Sequence, residues 1–232
     1  MLRGIDISNH KKKEGLGDLK PLMKSAQFCI CKATGGVSFV DSSCDYYVQQ
    51  LRKMGKPWGF YHFANDDERN SSAEKEAQYF VNNCKNYFGE GIPILDWERE
   101  GVSASWANTF LRKVHDLTGV WPWIYSWPWQ INGANIEKNC GRWIASYPNV
   151  SHPGLDYKLP GMPKTDGTVC AWQYASDGRV SGFNGDLDLN VFYGDVDAWN
   201  AYARGERETS EDEGKEVDVL ENERYTVTIK RK

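Results

Sequence analysis

Two carboxylates at the end of one apolar run are the residues of this chain best suited to chemistry. Asp96 and Glu98 follow the apolar segment Ile92–Leu95. On a strand, side chains two residues apart point to the same side, and their Cα atoms lie about 6.6 Å apart at a rise of roughly 3.3 Å per residue. Acidic residues are depleted from strand interiors. A carboxylate pair can divide into one protonated acid and one ionised partner, as cleavage of a glycosidic bond requires.

Two further carboxylates lie in other strand-like runs. Asp6 falls within the first run, Leu2–Ser8, and Asp188 within the last one. In a closed sheet the first and last strands are neighbours, so we expect both residues to face Asp96 and Glu98 across one cleft. Taken alone, Asp6 fits a cap or turn residue better.

Metal and histidine chemistry are not favoured by the sequence. The spacing Asp186-Leu187-Asp188-Leu189-Asn190 lacks the Gly and the distant Glu of an EF-hand loop. No partnered pattern includes His62, His115 or His152. The six cysteines are scattered without paired CxxC spacing, which favours reduced core thiols over disulfides or a metal site. We therefore expect no metal and no cofactor.

Strand-like runs alternate with helical patterns over the first 140 residues, which predicts a parallel sheet with helices outside. The first five strand-like runs are Leu2–Ser8, Phe28–Thr34, Trp58–Ala64, Ile92–Glu98 and Trp121–Trp127. The helical stretches between them are near Asp18–Ala26, Ser43–Met54, Ser71–Tyr87 and Ser103–Thr118. Ser71 and Glu74 have capping-box spacing, and Gly55 and Gly119 fit helix C-caps.

After residue 140 the pattern changes to strands with little helix between them. The later runs are Arg142–Tyr147, Val169–Ala175 and Asp186–Phe192. Eight strands in all, five of them followed by helices, predict an α/β fold, a TIM-like barrel of the (β/α)5(β)3 type. A last helix is expected over Val196–Arg204.

Three segments are predicted. Residues 1–204 form the barrel, and residues 205–218 form an acidic linker without aromatic residues. Residues 219–232 form a strand-like tail in which Tyr225–Ile229 alternates as a strand does. This tail is too short to fold alone, so it either adds to a sheet, pairs with another chain, or begins a further module.

The composition excludes several classes of protein. A net charge of −4 without a basic stripe argues against nucleic acid as a partner. The sequence contains no run of 18 apolar residues, so we expect no membrane span. The segment Met1–Asp6 has no charged leader before an apolar core, so we expect no Sec-type signal peptide. Ten Trp and twelve Tyr suit either a Trp-rich core or a cleft in which sugar faces stack on rings.

Seven short motifs together resemble the glycoside hydrolase family 25 lysozymes, the Chalaropsis-type muramidases that include many phage endolysins. Their order and spacing cover residues 1 to about 200, and each is weak alone. The motifs are Gly4-Ile5-Asp6-Ile7-Ser8, Lys32-Ala33-Thr34-Gly35-Gly36, Gly59-Phe60-Tyr61-His62-Phe63, Asp96-Trp97-Glu98, Trp143-Ile144-Ala145-Ser146-Tyr147, Trp172-Gln173-Tyr174 and Asp188-Leu189-Asn190.

The resemblance implies an eight-stranded barrel that cleaves the β-1,4 bond between N-acetylmuramic acid and N-acetylglucosamine in peptidoglycan. It implies that Glu98 is the general acid and then the base, that Asp96 is its charged partner, and that Asp6 and Asp188 complete the acidic cleft. We expect an ionised Asp96 and an apolar wall, Trp97 or Tyr61, to raise the pKa of Glu98. Beside Glu98 on one strand, Asp96 is poorly placed to attack the sugar, so we favour attack by the substrate's 2-acetamido oxygen, with retention.

Six aromatic residues near strand ends are candidates for sugar binding. They are Tyr61, Tyr125, Trp127, Tyr147, Trp172 and Tyr174. We expect Trp121, Trp123 and Trp129 to lie in the core or at the rim. Lys32 either binds a carboxylate of the lactyl group or peptide, or is a solvated or capping lysine.

Three alternatives stay open. A chitinase-like glycosidase on a related barrel would have a longer Asp-rich run before its Glu, where this chain has the apolar Ile92–Leu95. A non-catalytic cell-wall sugar-binding module would not need the four carboxylates. A structural or assembly role is favoured only by the tail. The expected partner is bacterial peptidoglycan, with no nucleic acid and no membrane. Residues 205–232 are expected to mediate self-association or lead to a missing cell-wall-binding module. We expect synthesis in the cytoplasm and action on the cell wall, after release by a holin or another export route.

Overall fold

Eight strands close into a barrel in this computed structural model, which describes residues 1–66, 68–206, 218–222 and 225–229. The sheet contains β1 (Leu2–Ile7), β2 (Phe28–Gly35), β3 (Phe39–Val40), β4 (Trp58–Phe63), β5 (Ile92–Asp96), β6 (Trp123–Ser126), β7 (Arg142–Ala145), β8 (Val169–Gly178) and β9 (Leu187–Phe192). The short β3 pairs only with β2, and the barrel closes because β1 pairs with both β2 and β9. The predicted α/β barrel of eight strands is confirmed.

The barrel is mixed, with β9 antiparallel to both of its neighbours. The other seven barrel strands run parallel. The beginning of β9 therefore lies at the same end of the barrel as the carboxyl ends of the other strands. This reversal places Asp188, near the start of β9, directly opposite Asp6, near the end of β1.

In the part of the chain that the structure describes, six α-helices accompany the strands, and most begin and end close to their predicted positions. They are α1 (Asn9–Lys13), α2 (Cys44–Met54), α3 (Ala73–Cys84), α4 (Ala104–Thr118), α5 (Pro128–Ile131) and α6 (Val196–Arg204). The helix predicted over Asp18–Ala26 is wrong, because only a 3-10 turn forms there, at Leu22–Lys24. Pro21 disfavours the helical conformation at Lys20, the residue before it, so the preceding residues do not join a longer helix.

Helix caps agree with the sequence pattern to within one residue. Gly55 and Gly119 adopt left-handed conformations, with φ of 61° and 74°, at the ends of α2 and α4. The capping side chain of α3 is Ser72, which accepts a hydrogen bond from Lys75 N at 3.4 Å. The predicted capping box with Ser71 is therefore shifted by one position.

Helix α6 closes the amino-terminal end of the barrel with a fully buried Trp199. Its ring centroid lies 4.6 Å from that of Phe28, 5.1 Å from that of Phe192 and 5.4 Å from that of Trp123. The indole Nε1 donates to Trp58 O at 3.1 Å, so the polar atom is satisfied as well. This aromatic cluster fills the end of the barrel opposite the carboxylates.

The tail contains two strands, β10 (Asp218–Asn222) and β11 (Tyr225–Ile229), paired as an antiparallel hairpin. Residues 207–217, which include most of the predicted acidic linker, lie outside the described residues. The roles proposed for the tail remain predictions. Within the described ranges, no helix combines the length and apolarity needed to cross a bilayer.

Candidate active site

Four carboxylates meet at the carboxyl end of the barrel. Asp96 is the last residue of β5, and Asp6 and Asp188 face each other across β1 and β9. Strand β5 ends two residues earlier than predicted, so Glu98 follows the strand. Side chains still alternate between the inner and outer sides beyond the end of β5. The evidence is Trp97, which is buried in the layer outside the barrel. Asp96 and Glu98 therefore share the inner side, as their spacing predicts.

Asp6 is held by two amide groups. Its Oδ2 accepts hydrogen bonds from Gln173 Nε2 at 2.8 Å and from Asn190 Nδ2 at 2.7 Å. Burial raises the pKa of Asp6 to about 6, against the two hydrogen bonds, which lower it. Its exposure is only 6%, so desolvation of the charged form outweighs both donors.

Asp96 is more deeply placed than Glu98. It is 6% exposed, and its Oδ1 has no hydrogen-bond partner among the described residues, whereas Glu98 is half-buried. Burial and then the charge of Glu98 raise the pKa of Asp96 well above its usual value. The pKa of Glu98 is also raised, by burial and then by Asp6.

The two carboxyls titrate as a pair. Repulsion between them acts on both and adds to the effect of burial, so the pair binds a proton more strongly than an isolated carboxyl does. The assignment of that proton to Glu98, with Asp96 ionised, stays a prediction.

The fourth carboxyl, Asp188, has a pKa well above its usual value because of burial and the nearby Asp6. Lys11, on α1, opposes this shift with its positive charge. All four groups thus bind protons more strongly than carboxyls in water do. The cluster can hold and transfer protons near neutral pH, which is what acid catalysis requires.

Gln173 connects this cluster to two tyrosines. Its Oε1 accepts from Tyr125 Oη at 2.8 Å and from Tyr147 Oη at 2.6 Å, while its Nε2 donates to Asp6. Asn190 also accepts from Trp143 Nε1 at 2.8 Å. Neither Gln173 nor Asn190 is among the site residues expected from the sequence. For Asn190 the sequence does contain a signal: it lies two residues after Asp188 on β9, so the two side chains are expected on the same side of the strand.

Four of the six predicted sugar-binding aromatics lie at this end of the barrel. Tyr61 is partly buried near the carboxylates, which together with burial raise the pKa of its hydroxyl. Tyr125 is 6% exposed and packs on Trp143. Trp127 meets Tyr147 edge to face, with ring centroids 5.4 Å apart, and Tyr147 is 41% exposed. These rings form a wall beside the acids.

The other two, Trp172 and Tyr174, lie outside the barrel, which corrects the prediction that they bind sugar. Gln173 points inward to Asp6, so its neighbours on β8 point outward. Both are buried in the outer layer, at 3% and 1% exposure. Trp172 Nε1 donates to Ser146 O at 2.5 Å and Tyr174 Oη to Gly154 O at 3.2 Å, so their polar atoms have structural partners.

The remaining tryptophans agree with the expectation of core or rim positions. Trp123 is buried in the aromatic cluster beneath the barrel. Trp121 stacks on His115, with ring centroids 4.0 Å apart, and Trp129 is 73% exposed.

His62 has partners that the sequence did not reveal. It points outward from β4, is fully buried, and contacts Glu76 Oε2 at 2.9 Å and Thr34 Oγ1 at 2.8 Å. Burial lowers the pKa of His62, so the ring is neutral at pH 7. The contact between His62 and Glu76 links β4 to α3 in the outer layer, away from the four carboxylates. All six cysteines are buried, and the described residues contain no group of three or more His, Cys, Asp or Glu side chains able to hold a metal ion.

Comparison with known proteins gives a consistent family. The model of glycosyl hydrolases family 25 matches residues 5–183. Lysozyme M1 of Streptomyces globisporus is 29% identical over 212 residues, which span 83% of this chain and 68% of that protein. N,O-diacetylmuramidase of Chalaropsis sp is 27% identical over 212 residues, spanning 81% of this chain and 96% of that protein.

A solved structure matches the barrel in the same way. The bacterial lysozyme from Streptomyces coelicolor superposes with a TM-score of 0.71 at 25% identity, covering 88% of this chain and 97% of that one. The family match extends over the strands that carry Asp6, Asp96 and the aromatic wall. The chain therefore belongs to glycosyl hydrolase family 25 and is a glycoside hydrolase.

Proposed function

We propose that this enzyme hydrolyses bacterial peptidoglycan at the β-1,4 bond between N-acetylmuramic acid and N-acetylglucosamine. The observation that carries the proposal is the group of four carboxyls with raised pKa values beside a wall of aromatic rings. The names of the lysozyme and muramidase relatives support this choice of substrate. The enzyme then acts on the cell wall.

Glu98 is the general acid. It is the more exposed member of the pair with Asp96, so it is the carboxyl within reach of a sugar in the cleft. The pair retains a proton near neutral pH because both pKa values are raised. Glu98 delivers that proton to the glycosidic oxygen as the bond to C1 breaks, and later takes a proton from the attacking water.

The nucleophile is the substrate's own 2-acetamido oxygen. Asp96 is buried behind Glu98 on the same segment, a position unsuited to attack on the opposite face of the sugar. Its Oδ1, which has no partner among the described residues, is available to accept the acetamido N–H. The acetamido oxygen bonds to C1 as the leaving oxygen departs, and water then opens the oxazolinium ring with net retention of configuration.

Digestion of purified peptidoglycan, followed by mass spectrometry, tests the bond cleaved. We expect fragments with muramic acid at the reducing end, and NMR of early products should show the retained anomer. Reducing-end glucosamine would overturn the proposed bond, and an inverted anomer would overturn acetamido attack. Cleavage of chitin oligomers in place of cell walls would favour the chitinase-like alternative.

Replacement of the acid tests the role of Glu98. We expect Glu98→Gln to lose about 10²–10⁴-fold in turnover or more, because the amide cannot donate the proton, while the variant stays folded and is not destabilised. Glu100→Gln is a matched control, since Glu100 is an exposed glutamate two residues further on. Normal clearing of cell walls by the Glu98 variant would contradict the assignment of Glu98 as the general acid.

A further inference from the structure

Lys32 is a cation placed on the inner side of the barrel wall. Lys32 lies two and four residues after the interior residues Ile30 and Phe28 on β2, so its side chain is on the same side as theirs. It is in register with Tyr61 on β4. Its side chain is only 11% exposed. A lysine at this depth is rarely left without a partner, because the charged form loses hydration.

The partner of Lys32 is Asp66, on the connection between β4 and α3. The distance from Lys32 Nζ to Asp66 Oδ2 is 2.8 Å. The same Nζ lies 4.8 Å from the ring centroids of Phe39 and Phe63, so aromatic faces enclose the cation on further sides. These contacts hold the ammonium group in one position.

Gly35 makes room for this pair. A Cβ atom built on Gly35 would overlap the carboxyl group of Asp66. Gly35 is the last residue of β2, three positions after Lys32 on the same strand. The backbone is therefore shaped to admit the Asp66 carboxylate beside Lys32.

The ammonium of Lys32 lies against the ring of Phe63, and Phe63 is in register with Asp96 on the neighbouring strand β5, so the charge of Lys32 is close to the acidic pair. It lowers the pKa values of Asp96 and Glu98, while Asp66 raises that of Asp96. The two members of the ion pair thus act on Asp96 in opposite directions.

We propose that Lys32 is a positioning residue that sets the pH range over which Asp96 and Glu98 hold their proton, and that Asp66 holds Lys32 in place. The proposal rests on the function proposed above for Glu98. The role of Lys32 is electrostatic, because its ammonium group is bound to Asp66 and acts on the carboxyls of Asp96 and Glu98 through space. Removing either charge should move the active pH range, and the two removals should move it in opposite directions.

Other groups around the acidic pair stay the same in such variants. Asp6 on β1 and Asp188 on β9 face it from the opposite wall, and Lys11 on α1 acts on both of them. The hydroxyls of Tyr61, Tyr125 and Tyr147 have raised pKa values and stay neutral over the acid and neutral range. A shift of the pH profile therefore reports on the charge that was changed.

The test is the pH dependence of kcat in the full chain carrying Lys32→Met or Asp66→Asn. Loss of the cation should raise the carboxyl pKa values and move the high-pH limb upward by about half a unit or more. Asp66→Asn keeps an oxygen that can accept from Lys32 Nζ but removes the opposing charge, so it should move that limb downward. A merely structural role would lower thermal stability and rate in both variants without opposite shifts.

Two further variants keep the test decisive. Gly35→Ala, which displaces the Asp66 carboxyl without changing a charge, should shift the limb in the direction of Asp66→Asn. Glu90→Gln removes one partner of a 2.8 Å ion pair with Arg52 on the outside of the molecule and should shift nothing. Shifts in one common direction, or no shift in folded variants, would overturn the proposal.

A measurement without substrate separates this proposal from the proposed function. The carboxyl ¹³C signal of Glu98, followed by NMR against pH, should shift its midpoint upward in Lys32→Met and downward in Asp66→Asn. If the wild-type chain leaves peptidoglycan intact, the proposed function fails while this titration still decides the role of Lys32. Unchanged midpoints in an active enzyme would overturn the role of Lys32 alone.

Discussion

The two ends of the barrel interior differ in chemistry although the same strands form both. On β1 the inward residues run from Leu2 to Asp6, and on β9 they run from Phe192 to Asp188. At the amino-terminal end, aromatic rings pack around Trp199 and bury two neutral indole N–H groups: that of Trp199, which donates to Trp58 O, and that of Trp123, which has no partner among the described residues. At the other end, carboxyls are buried close together and one oxygen has no partner in the described chain. One end supplies stability, and the other tolerates the repulsion that chemistry needs.

The largest expected effect breaks the reactive end. Asp96→Asn should lower kcat by about 10²–10⁴-fold, because the neutral amide cannot stabilise the positive charge that develops on the acetamido group and cannot share the proton with Glu98. The affinity for substrate should change little, since the aromatic wall remains. Steady-state kinetics on soluble muropeptide substrates measures both quantities.

A matched control is Asp116→Asn, at an exposed position on α4 with 71% of its side chain accessible. We expect kinetics like those of the parent chain. If the Asp96 variant kept full kcat, the distinction between a reactive and a stabilising end would fail.

The second prediction breaks the stabilising end. Trp199→Ala should reduce the free energy of unfolding by about 3–5 kcal/mol, because the cavity left among Phe28, Trp123 and Phe192 cannot collapse fully. Chemical denaturation with urea measures this loss. At a temperature where the variant is folded, its pH–rate profile should match the parent.

A shift in the profile of the Trp199 variant would mean that the two ends are coupled through the barrel. Trp129→Ala serves as the control, since that tryptophan is 73% exposed and should affect the free energy of unfolding by much less.

The smallest expected effect concerns the pH dependence of stability at the reactive end. The pKa of Asp6 is raised from 3.8 to about 6, so the folded state binds more protons than the unfolded state between these values. Stability from this group is therefore lost as pH rises through that window. The free energy of unfolding of Asp6→Asn, relative to that of the parent chain, should therefore be higher at pH 7 than at pH 4. The difference is up to about 3 kcal/mol at 1.36 kcal/mol per pKa unit.

Thermal melting of the parent and the Asp6 variant across pH 4 to 7 gives the difference directly. The amide oxygen of the variant can still accept from Gln173 and Asn190, which isolates the effect of charge. A difference in melting temperature that does not change with pH would show that Asp6 carries no buried charge.

The sequence was sufficient for the barrel and for gathering the carboxylates, because strand alternation and strand order determine both. It failed where both faces of a strand are buried. Trp172 and Tyr174 have the residue type of a sugar platform, but only the inward position of Gln173 reveals that they face outward. The depth of Asp96 relative to Glu98 and the contact of Lys32 with Asp66 depend on tertiary packing and leave no local pattern.

The reversed last strand also has a consequence for the order of events during synthesis. Asn190 and Asp6 are separated by 184 positions, yet they share a hydrogen bond. A ribosome that adds roughly 5–20 residues per second needs on the order of 10–40 s to span that interval. Until β9 docks beside β1, Asp6 lacks Asn190 as a donor and Asp188 as a neighbour. Closure of the barrel therefore delays assembly of the site, so the nascent polypeptide cannot bring all four carboxyls together before nearly the whole barrel has been translated.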